Sequence, residues 1–310
     1  MKKEEKIVYL CTMELTIIIS TYNRAESLLR TLNSVIQQDA DPATWECLVV
    51  NNASTDNTKK LFDEFAQKHP DFNLRMVDEG QQGLSFARNK GIAESKGRYV
   101  AFIDDDETVA PTFVSGYMSL FNAGYAFVAM GAVIPVYESG RPKWMSTYTE
   151  KMIANPIDLG DTAFTISHKI VPAGGNMAFN RELFNIYGSF DTDLGRIGKE
   201  LRGGEETELF RRIRSLGERV FYAPKAIVYH HIGADKLTEE YVDKLSYGVG
   251  CSKRIQAEKE GTLNELYDDE SRKRLYTFIL SAFYTLTFRP AKSKWLWRMR
   301  NGITRGIKGC

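Results

Sequence analysis

Cysteine and proline are scarce in this 310-residue chain, which contains four and nine of them. Cys11, Cys47, Cys251 and Cys310 stand far apart and form no CxxC or other metal-binding spacing, so we expect neither a disulfide framework nor a structural zinc site. Nine prolines leave no room for a proline-rich linker. Apolar residues at 43% and charged residues at 26% exclude a fully disordered chain and a low-complexity fibre.

The chain also lacks a long, unbroken apolar run. Its N-terminus mixes acidic and basic residues and contains no apolar core of the kind that a secretory signal needs. The stretch 108–137 has no charged residue, but prolines and glycines interrupt it, whereas a membrane-spanning helix needs about 20 consecutive, mostly apolar residues. We therefore predict a buried helix followed by a buried strand there, and a cytoplasmic protein.

Acidic residues are missing from 271–310, which holds ten of the 41 Lys and Arg residues. The rest of the chain is consequently net acidic. A basic segment of this kind favours a polyanionic partner, either membrane lipid or nucleic acid. Because no recognised nucleic-acid-binding motif accompanies the charge, we do not expect nucleic acid.

A helical projection of 292–308 separates apolar from basic residues. Leu296, Met299, Ile303 and Ile307 form one stripe, Lys294, Arg298, Arg305 and Lys308 lie opposite, and Trp295 and Trp297 flank them. This pattern is typical of a helix at a membrane interface, and we expect an anionic membrane surface as its partner. The alternative is a helix packed on the rest of the protein with a solvated basic face.

Strand and helix patterns alternate through the first hundred residues. The predicted strands are Leu15–Ser20, Glu46–Val50, Leu74–Val77 and Tyr99–Ile103. The predicted helices are one capped by Asn23 with Glu26 as its capping-box partner, then Thr58–Gln67 and Phe86–Ser95. This order predicts an α/β fold with a mostly parallel central sheet and helices on both faces. Ala226–Tyr229 reads as a later strand, and the chain from about Ala234 reads as helical.

Polar residues follow three of the predicted strands, where an open α/β sheet binds its ligands. These segments are Thr21–Arg24, Asn51–Asp56 and Asp104–Glu107. Three adjacent aspartates repel one another when ionised, and hard oxygen ligands on a short loop suit Mg²⁺ or Mn²⁺, which would also hold a diphosphate. A solvated turn or a helix cap is the alternative interpretation.

Three further clusters carry chemistry. Glu205 and Glu206 open a predicted helix, where they either complement the helix dipole or supply a general base toward a hydroxyl. Arg88 and Lys90 could meet phosphate oxygens or lie on a solvated helix face. The pair His230–His231 follows a strand and could be a metal ligand or polar surface.

Six blocks in order carry a family resemblance. They are TIIISTYNR, VVNNASTDNT, GLSFARNKGIAESKGRYVAFIDDDE, AGGNMAFNRELFNIYGSFD, GGEETELFRRIRSLG, and a strand that ends in His-His. Together they resemble a bacterial family 2 glycosyltransferase of GT-A fold. The resemblance covers residues 14–235 and leaves 236–310 as a helical C-terminal extension with a basic amphipathic tail.

The resemblance implies an inverting transfer of a sugar from a nucleotide diphosphate to an acceptor hydroxyl, with Mn²⁺ or Mg²⁺ as cofactor. By position, it assigns Thr21, Tyr22, Asn23 and Asn51 to the nucleotide, Arg88 to the diphosphate, and Gly175 and Asn176 to the donor sugar. It assigns Asp104 or Asp105 to ribose or ligand waters, Asp106 to the metal with Asp104 and His230 as further metal candidates, and Glu206 to the catalytic base.

Two residues depart from the family pattern. Asn51 replaces an aspartate that pairs with the base, although its amide oxygen still accepts a hydrogen bond. Glu205-Glu206 replaces Glu-Asp, so the division of roles between these two carboxylates stays open. Trp144 lies within 137–170, where we expect the acceptor specificity to reside.

The expected role is surface polysaccharide or glycolipid assembly, with a saccharide or lipid-linked saccharide as acceptor. The expected location is the cytoplasm, peripherally on the cytoplasmic face of the inner membrane. Two alternatives are a catalytically silent nucleotide-sugar-binding protein and a metal-dependent sugar-phosphate nucleotidyltransferase. Against the latter stands the lack of a Gly-rich, basic phosphate loop after the first strand.

Overall fold

A computed structural model describes residues 13–124, 126–198 and 200–310. Cys11 and the N-terminal segment 1–12, in which no secretory signal is expected, lie outside the described residues. The strands are β1 (Leu15–Thr21), β2 (Trp45–Asn51), β3 (Leu74–Asp78), β4 (Tyr99–Asp104), β5 (Glu107–Val109), β6 (Val128–Tyr137), β7 (Phe164–Thr165), β8 (Met177–Asn180) and β9 (Val220–Ile232). The helices are α1 (Ala25–Val35), α2 (Thr58–Lys68), α3 (Leu84–Glu94), α4 (Phe113–Asn122), α5 (Thr147–Ile153), α6 (Leu183–Tyr187), α7 (Glu205–Ser215), α8 (Glu239–Glu260), α9 (Leu263–Leu286) and α10 (Pro290–Gly309).

The strands form one sheet in the order β3-β2-β1-β4-β8-β6-β9-β5, and β7 pairs with β9. The four strands predicted from the first hundred residues are parallel, as expected. The other half is mixed, because β8 runs antiparallel to both β4 and β6, whereas β6 and β9 are parallel. The buried helix and strand predicted within 108–137 are α4 and β6.

Helices cover both faces of the sheet, as the continuous apolar strands predict. Along β1, Ile17 and Ile19 join one buried cluster with residues of α1, α2 and α4. Ile18, between them, joins the opposite cluster with residues of α3, α6 and α7. The alternation follows from the two-residue repeat of a strand.

The capping box predicted at Asn23 is wrong. Helix α1 begins at Ala25, and Arg24 occupies the cap position without a capping side chain. Asn23 adopts a left-handed conformation (φ 52°), and its side-chain oxygen accepts a hydrogen bond from the Thr55 backbone N–H at 2.7 Å. The side chain thereby joins the loops after β1 and β2.

The C-terminal extension folds as three helices, and the prediction for its last helix needs correction. The α10 stripe Leu296, Met299, Ile303 and Ile307 is buried against residues of α8 and α9. Lys294 and Arg298 pair with Glu239 of α8 at 2.7 and 2.6 Å. This stripe therefore contacts protein instead of lipid, and the helix has the packed arrangement considered as the alternative.

Candidate active site at the sheet edge

The polar segments after β1, β2 and β4 meet at one edge of the sheet. In the strand registers, Thr21 of β1 pairs with Asn51 of β2, and the neighbouring Ser20 pairs with Asp104 of β4. The carboxyl ends of these parallel strands thus bring together the nucleotide candidates and the aspartate run, where an α/β fold binds ligands.

Asp105 is a buried carboxylate that joins β1 to the aspartate loop. Thr21 donates a hydrogen bond to its Oδ2 at 2.8 Å, and Arg24 Nη1 lies 3.1 Å from its Oδ1. Burial raises the pKa of Asp105 to about 6, although the Arg24 charge opposes the shift. Its two oxygens are held by protein, so Asp105 orients this edge.

Asp106 is the most strongly paired carboxylate of the site. Arg24 Nη1 and Lys236 Nζ each approach its Oδ2 to 2.6 Å, and Oδ1 lies 3.8 Å from His230 Nε2. Burial alone would raise the pKa of Asp106, but the charges of Lys236 and Arg24 hold it well below its usual value. The group is therefore ionised, with Arg24 and Lys236 as its cationic partners.

His230 presents a ring nitrogen lone pair to this cluster. Its Nδ1 lies 3.3 Å from the carbonyl oxygen of Ala154, which only accepts hydrogen bonds, so Nδ1 carries the proton. Nε2 then accepts a hydrogen bond from Lys236 Nζ at 3.2 Å. Burial and the Lys236 charge lower the pKa of His230, which keeps the ring neutral.

The donor set at Asp106 and His230 fits a divalent cation. A carboxylate oxygen and a neutral imidazole nitrogen are ligands that Mn²⁺ accepts, and the Lys236 ammonium already lies between them as a stand-in positive charge. Within residues 13–124, 126–198 and 200–310, no three His, Cys, Asp or Glu side chains converge on one metal position. A cation there would need substrate or water oxygens to complete its coordination.

Arg88 connects the aspartate loop to α7. It is only 3% exposed, and its Nη1 and Nη2 reach Glu205 Oε1 at 2.8 Å and Asp104 Oδ1 at 3.3 Å. Burial opposes its charge, yet Glu205 and Asp104 raise the pKa of Arg88. Arg88 is thus a buried structural cation between two carboxylates, whereas Lys90 pairs with Glu94 at 2.9 Å on its own helix.

Glu206 differs from its neighbour Glu205 in having no cationic partner. Its Oε2, like that of Glu205, is buried and makes no hydrogen bond within the described part of the chain. Burial and the charge of Glu205 raise the pKa of Glu206 to about 8, and Arg88 only partly offsets them. A proton on Glu206 is therefore exchangeable close to neutral pH.

The nucleotide candidates occupy the β2 side of the edge. Asn51 donates from Nδ2 to Asp78 Oδ1 at 2.8 Å, and its Oδ1 accepts the Ser54 backbone N–H at 3.2 Å. Tyr22 is partly buried directly after β1. Asp78 at the end of β3 is a carboxylate that sequence inspection missed, and it stands beside the asparagine that departs from the family pattern.

Gly175 and Asn176 occupy different environments although they are adjacent. A Cβ on Gly175 would lie 2.3 Å from Glu107 Oε2, so the glycine permits close approach of this carboxylate. Asn176 is fully buried, and its Nδ2 donates hydrogen bonds to the carbonyl oxygens of Ala132 and Ala226 at 2.7 and 2.8 Å. Its Oδ1 accepts a hydrogen bond from the Tyr117 hydroxyl at 2.6 Å. The Asn176 side chain thus links β6, β9 and α4.

Residues 16–188, more than half of the chain, match the sequence profile described as Glycosyl transferase family 2. The chain belongs to glycosyltransferase family 2. Among its relatives is the glucosyl-dolichyl phosphate glucuronosyltransferase of Haloferax volcanii, 27% identical over 78% of this chain and 77% of the relative. The succinoglycan biosynthesis protein ExoO of Rhizobium meliloti is 27% identical over 71% of this chain and 61% of its own length. Against GlyA of Streptococcus pneumoniae, 26% identical over 78% of this chain, the match spans 34% of the relative.

Solved structures share the fold of this family 2 glycosyltransferase. The mannosyltransferase PcManGT from Pyrobaculum calidifontis, in complex with GDP-Man and Mn²⁺, superposes with a TM-score of 0.62. That alignment covers 96% of this chain and 88% of the other at 18% identity. The fold is therefore of the GT-A type, with a curled mixed sheet and an added helical region.

Two cations of this glycosyltransferase escaped prediction because their roles depend on tertiary contacts. Lys236 lies 130 residues from its partner Asp106 and is buried in a short 3-10 turn after β9. Arg196, on the loop before α7, has its pKa raised against burial by Tyr241, Asp104 and Asp106.

Proposed function

We propose that the chain transfers a single sugar from a nucleotide diphosphate to an acceptor hydroxyl, with inversion at the anomeric carbon. The observation that carries this proposal is the contrast on α7 between Glu205, whose Oε1 is bound by the Arg88 guanidinium, and Glu206, which has no cationic partner among the described residues. Family membership supplies the reaction class, and the relatives named for succinoglycan and dolichyl phosphate products support polysaccharide or glycolipid assembly.

The nucleotide diphosphate would bind across the sheet edge. Thr21, Tyr22 and Asn51 stand at the ends of β1 and β2, where we place the base and ribose. Arg196 makes no side-chain hydrogen bond among the described residues, so its guanidinium is available to phosphate oxygens. Lys236 is the second cation able to meet the diphosphate.

Asp106 and His230 are the residues that would hold Mn²⁺ or Mg²⁺, with Asp104 as a third candidate. When bound, the cation would neutralise charge that develops on the departing diphosphate. The side chain of Asp104 is 41% exposed and retains an approach to ligand despite its contact with Arg88. Arg24 remains beside Asp106 and limits the negative charge of the site.

Glu206 would accept the proton of the acceptor hydroxyl as that oxygen attacks the sugar. A pKa near the working pH suits a general base, because the group both loses and holds a proton readily. Glu205 has a different role: through Arg88 it fixes the position of the α7 N-terminus against β4. A single displacement on the face opposite the leaving diphosphate produces inversion.

The acceptor is a saccharide or a lipid-linked saccharide, and we place the enzyme on the cytoplasmic side of a membrane. The ring of Trp144 stacks on Trp295 of α10, with ring centroids 3.7 Å apart, so one face of this ring is covered by protein and is closed to an acceptor. Acceptor contacts would then come from other residues of 137–170.

Glu206→Gln tests the proposal, with Glu208→Gln as the matched control on the same helix turn. We expect Glu206→Gln to reduce transfer by about 10²-fold or more while nucleotide-sugar binding stays nearly unchanged. Transfer is followed by nucleotide diphosphate release from a donor panel with Mn²⁺, and the anomeric configuration of the product by NMR. Normal turnover by Glu206→Gln would remove Glu206 from the role, and a retained configuration would refute single displacement.

A catalytically silent nucleotide-sugar binder is the second candidate, motivated by Asn51 and by the Glu-Glu pair. Slow, metal-dependent hydrolysis of the donor without acceptor separates the two, because a silent binder releases no sugar. Hydrolysis that disappears in Glu206→Gln supports the transferase. Donor binding without any hydrolysis or transfer supports the silent binder.

A further inference from the structure

Helix α9 shows its apolar side to solvent over its C-terminal half. Leu275, Ile279 and Leu286 are 63%, 55% and 80% exposed, and they recur at the spacing of one helix face. Tyr276, Phe278 and Phe283 widen the same face and are each at least 55% exposed. We call these six residues the α9 face. A contiguous exposed apolar surface of this kind marks an interaction site.

The side of α9 that faces α10 buries polar side chains, Glu270, Thr277 and Ser281, beside the partly buried Leu266, Leu280 and Tyr284. The more exposed apolar residues of the helix thus lie on the solvent side. Glu270 Oε2 pairs with Arg300 of α10 at 2.9 Å, and its Oε1 accepts a hydrogen bond from Thr304 at 2.6 Å. Thr277 lies in the same contact and receives Arg300 Nε at 3.3 Å. These satisfied polar contacts fix the helix orientation, so the α9 face cannot turn inward without breaking them.

Phe288 extends the apolar surface beyond the end of α9. Its backbone is in the left-handed region (φ 56°), at a position after a helix where glycine is the favoured residue. A bulky side chain here is strained, yet it is 94% exposed and so gains little from burial within the protein. The strain is explained if the ring inserts into something outside the chain.

The charges around the α9 face indicate which partner covers it. Arg272 lies one turn before Leu275, and Arg289 follows Phe288. Neither arginine has a carboxylate within ion-pair distance in the described part of the chain, although the Arg272 charge helps to lower the pKa of Asp269 one turn earlier. The segment 271–310 contains no acidic residue. An apolar strip with unpaired arginines at both ends matches the acyl boundary and anionic headgroups of a bilayer.

We propose that the α9 face, with Phe288, Arg272 and Arg289, docks the protein on an anionic membrane surface. No helix in 13–124, 126–198 or 200–310 is long and apolar enough to cross a membrane, so α9 would lie in the interface with its buried side toward α10. The surface differs from the α10 stripe that the sequence suggested. Its test needs no enzymatic activity and is therefore independent of the proposed transfer reaction.

Vesicle co-sedimentation of the full chain tests the proposal. We expect binding to phosphatidylcholine vesicles that contain phosphatidylglycerol, and at least about tenfold weaker binding for the double variant Ile279→Glu with Leu286→Glu. Ile186→Glu, at an equally exposed apolar position on α6, should bind like the unchanged protein. Arg272→Gln and Arg289→Gln should each weaken binding by about fivefold and reduce its salt sensitivity.

Three results would overturn the proposal. The first is no binding of the unchanged protein to phosphatidylglycerol vesicles, and the second is unaltered binding by the Ile279→Glu, Leu286→Glu variant. The third is a lipid-free dimer in sedimentation velocity that this variant dissociates, because the α9 face would then belong to a second copy. Nucleotide binding and the thermal unfolding profile of each variant verify that the fold is kept.

Discussion

Lys236 provides the sharpest test of the site, because its ammonium stands where a shared metal ion would stand. Its Nζ is 2.6 Å from Asp106 Oδ2 and 3.2 Å from His230 Nε2. A cation that touched both groups would have to take nearly the same position. We expect Lys236→Met, which keeps an unbranched apolar stem and removes the charge, to open that position.

The magnitude follows from the charge removed. Two unit charges about 4 Å apart interact by roughly 4 kcal/mol at an effective dielectric constant of about 20, and a divalent ion feels more. Tenfold in affinity corresponds to about 1.4 kcal/mol. We therefore expect Lys236→Met to bind Mn²⁺ at least about tenfold more tightly than the unchanged protein when no nucleotide is present.

Stability should change in the opposite sense. Asp106 keeps Arg24 at 2.6 Å, so Lys236→Met leaves its carboxylate with one cation. We expect unfolding to become easier by about 1–3 kcal/mol, below the loss for a fully unpaired buried charge. Added Mn²⁺ should restore stability in the variant more than in the unchanged protein, since bound ligand stabilises the folded state.

The assay is titration of Mn²⁺ by electron paramagnetic resonance, together with thermal unfolding and binding of UDP and GDP. Lys244→Met on α8 is the control, because Lys244 is exposed and its ion pair is with Glu240 of its own helix. An unchanged Mn²⁺ affinity combined with weaker nucleotide binding would refute the reasoning. Lys236 would then contact the diphosphate directly without competing with metal.

The remaining predictions concern burial and protonation. Arg88→Met should destabilise the protein by about 3–5 kcal/mol in urea unfolding, since it leaves buried carboxylates unpaired, whereas Arg88→Lys should recover part of the loss. Gly175→Ala should lower the free energy of unfolding by about 1–3 kcal/mol, because the new Cβ would lie 2.3 Å from Glu107 Oε2. Gly203→Ala is the control, since a Cβ there meets open space and should leave stability unchanged. Equal stabilities of the two variants would argue against the close contact at Gly175. Because the pKa of Glu206 rises from 4.5 to about 8, the folded state holds an extra proton across that range. Its contribution to stability should therefore fall as the pH rises through the range, while kcat/KM should rise until Glu206 has lost its proton; a flat profile would count against it as the base.

Local patterns were sufficient for the strands and helices of the parallel half. The run Leu15–Ser20 predicted β1 to within one residue, because a strand buried on both faces shows as a continuous apolar stretch. The convergence of Thr21, Asn51 and Asp104 followed from the rule that parallel strands end at one edge. The mixed half was not predictable in this way, since β8 reverses direction without any local mark.

The site contacts that could not be predicted from the sequence are pairs of residues far apart in the chain. Lys236 and Asp106 form one ion pair across 130 residues, and no spacing rule relates them. The residue types of α10 correctly indicated one apolar and one basic side, but a stripe that packs on protein and one that packs on lipid look alike in a helical projection. The sequence did not reveal the α9 face, because contacts with neighbours such as Arg300 decide which side of α9 is buried.

The stacked rings of Trp144 and Trp295 have a consequence for how the protein unfolds. They belong to a cluster in which Met145 and Ile232 of the strand-rich part touch Val242 of the helical extension. Cleaving the chain between 235 and 236 would expose part of this shared hydrophobic cluster on both fragments. We therefore expect calorimetry to record a single unfolding transition, in which the strand-rich part and the helical extension unfold together as one cooperative unit.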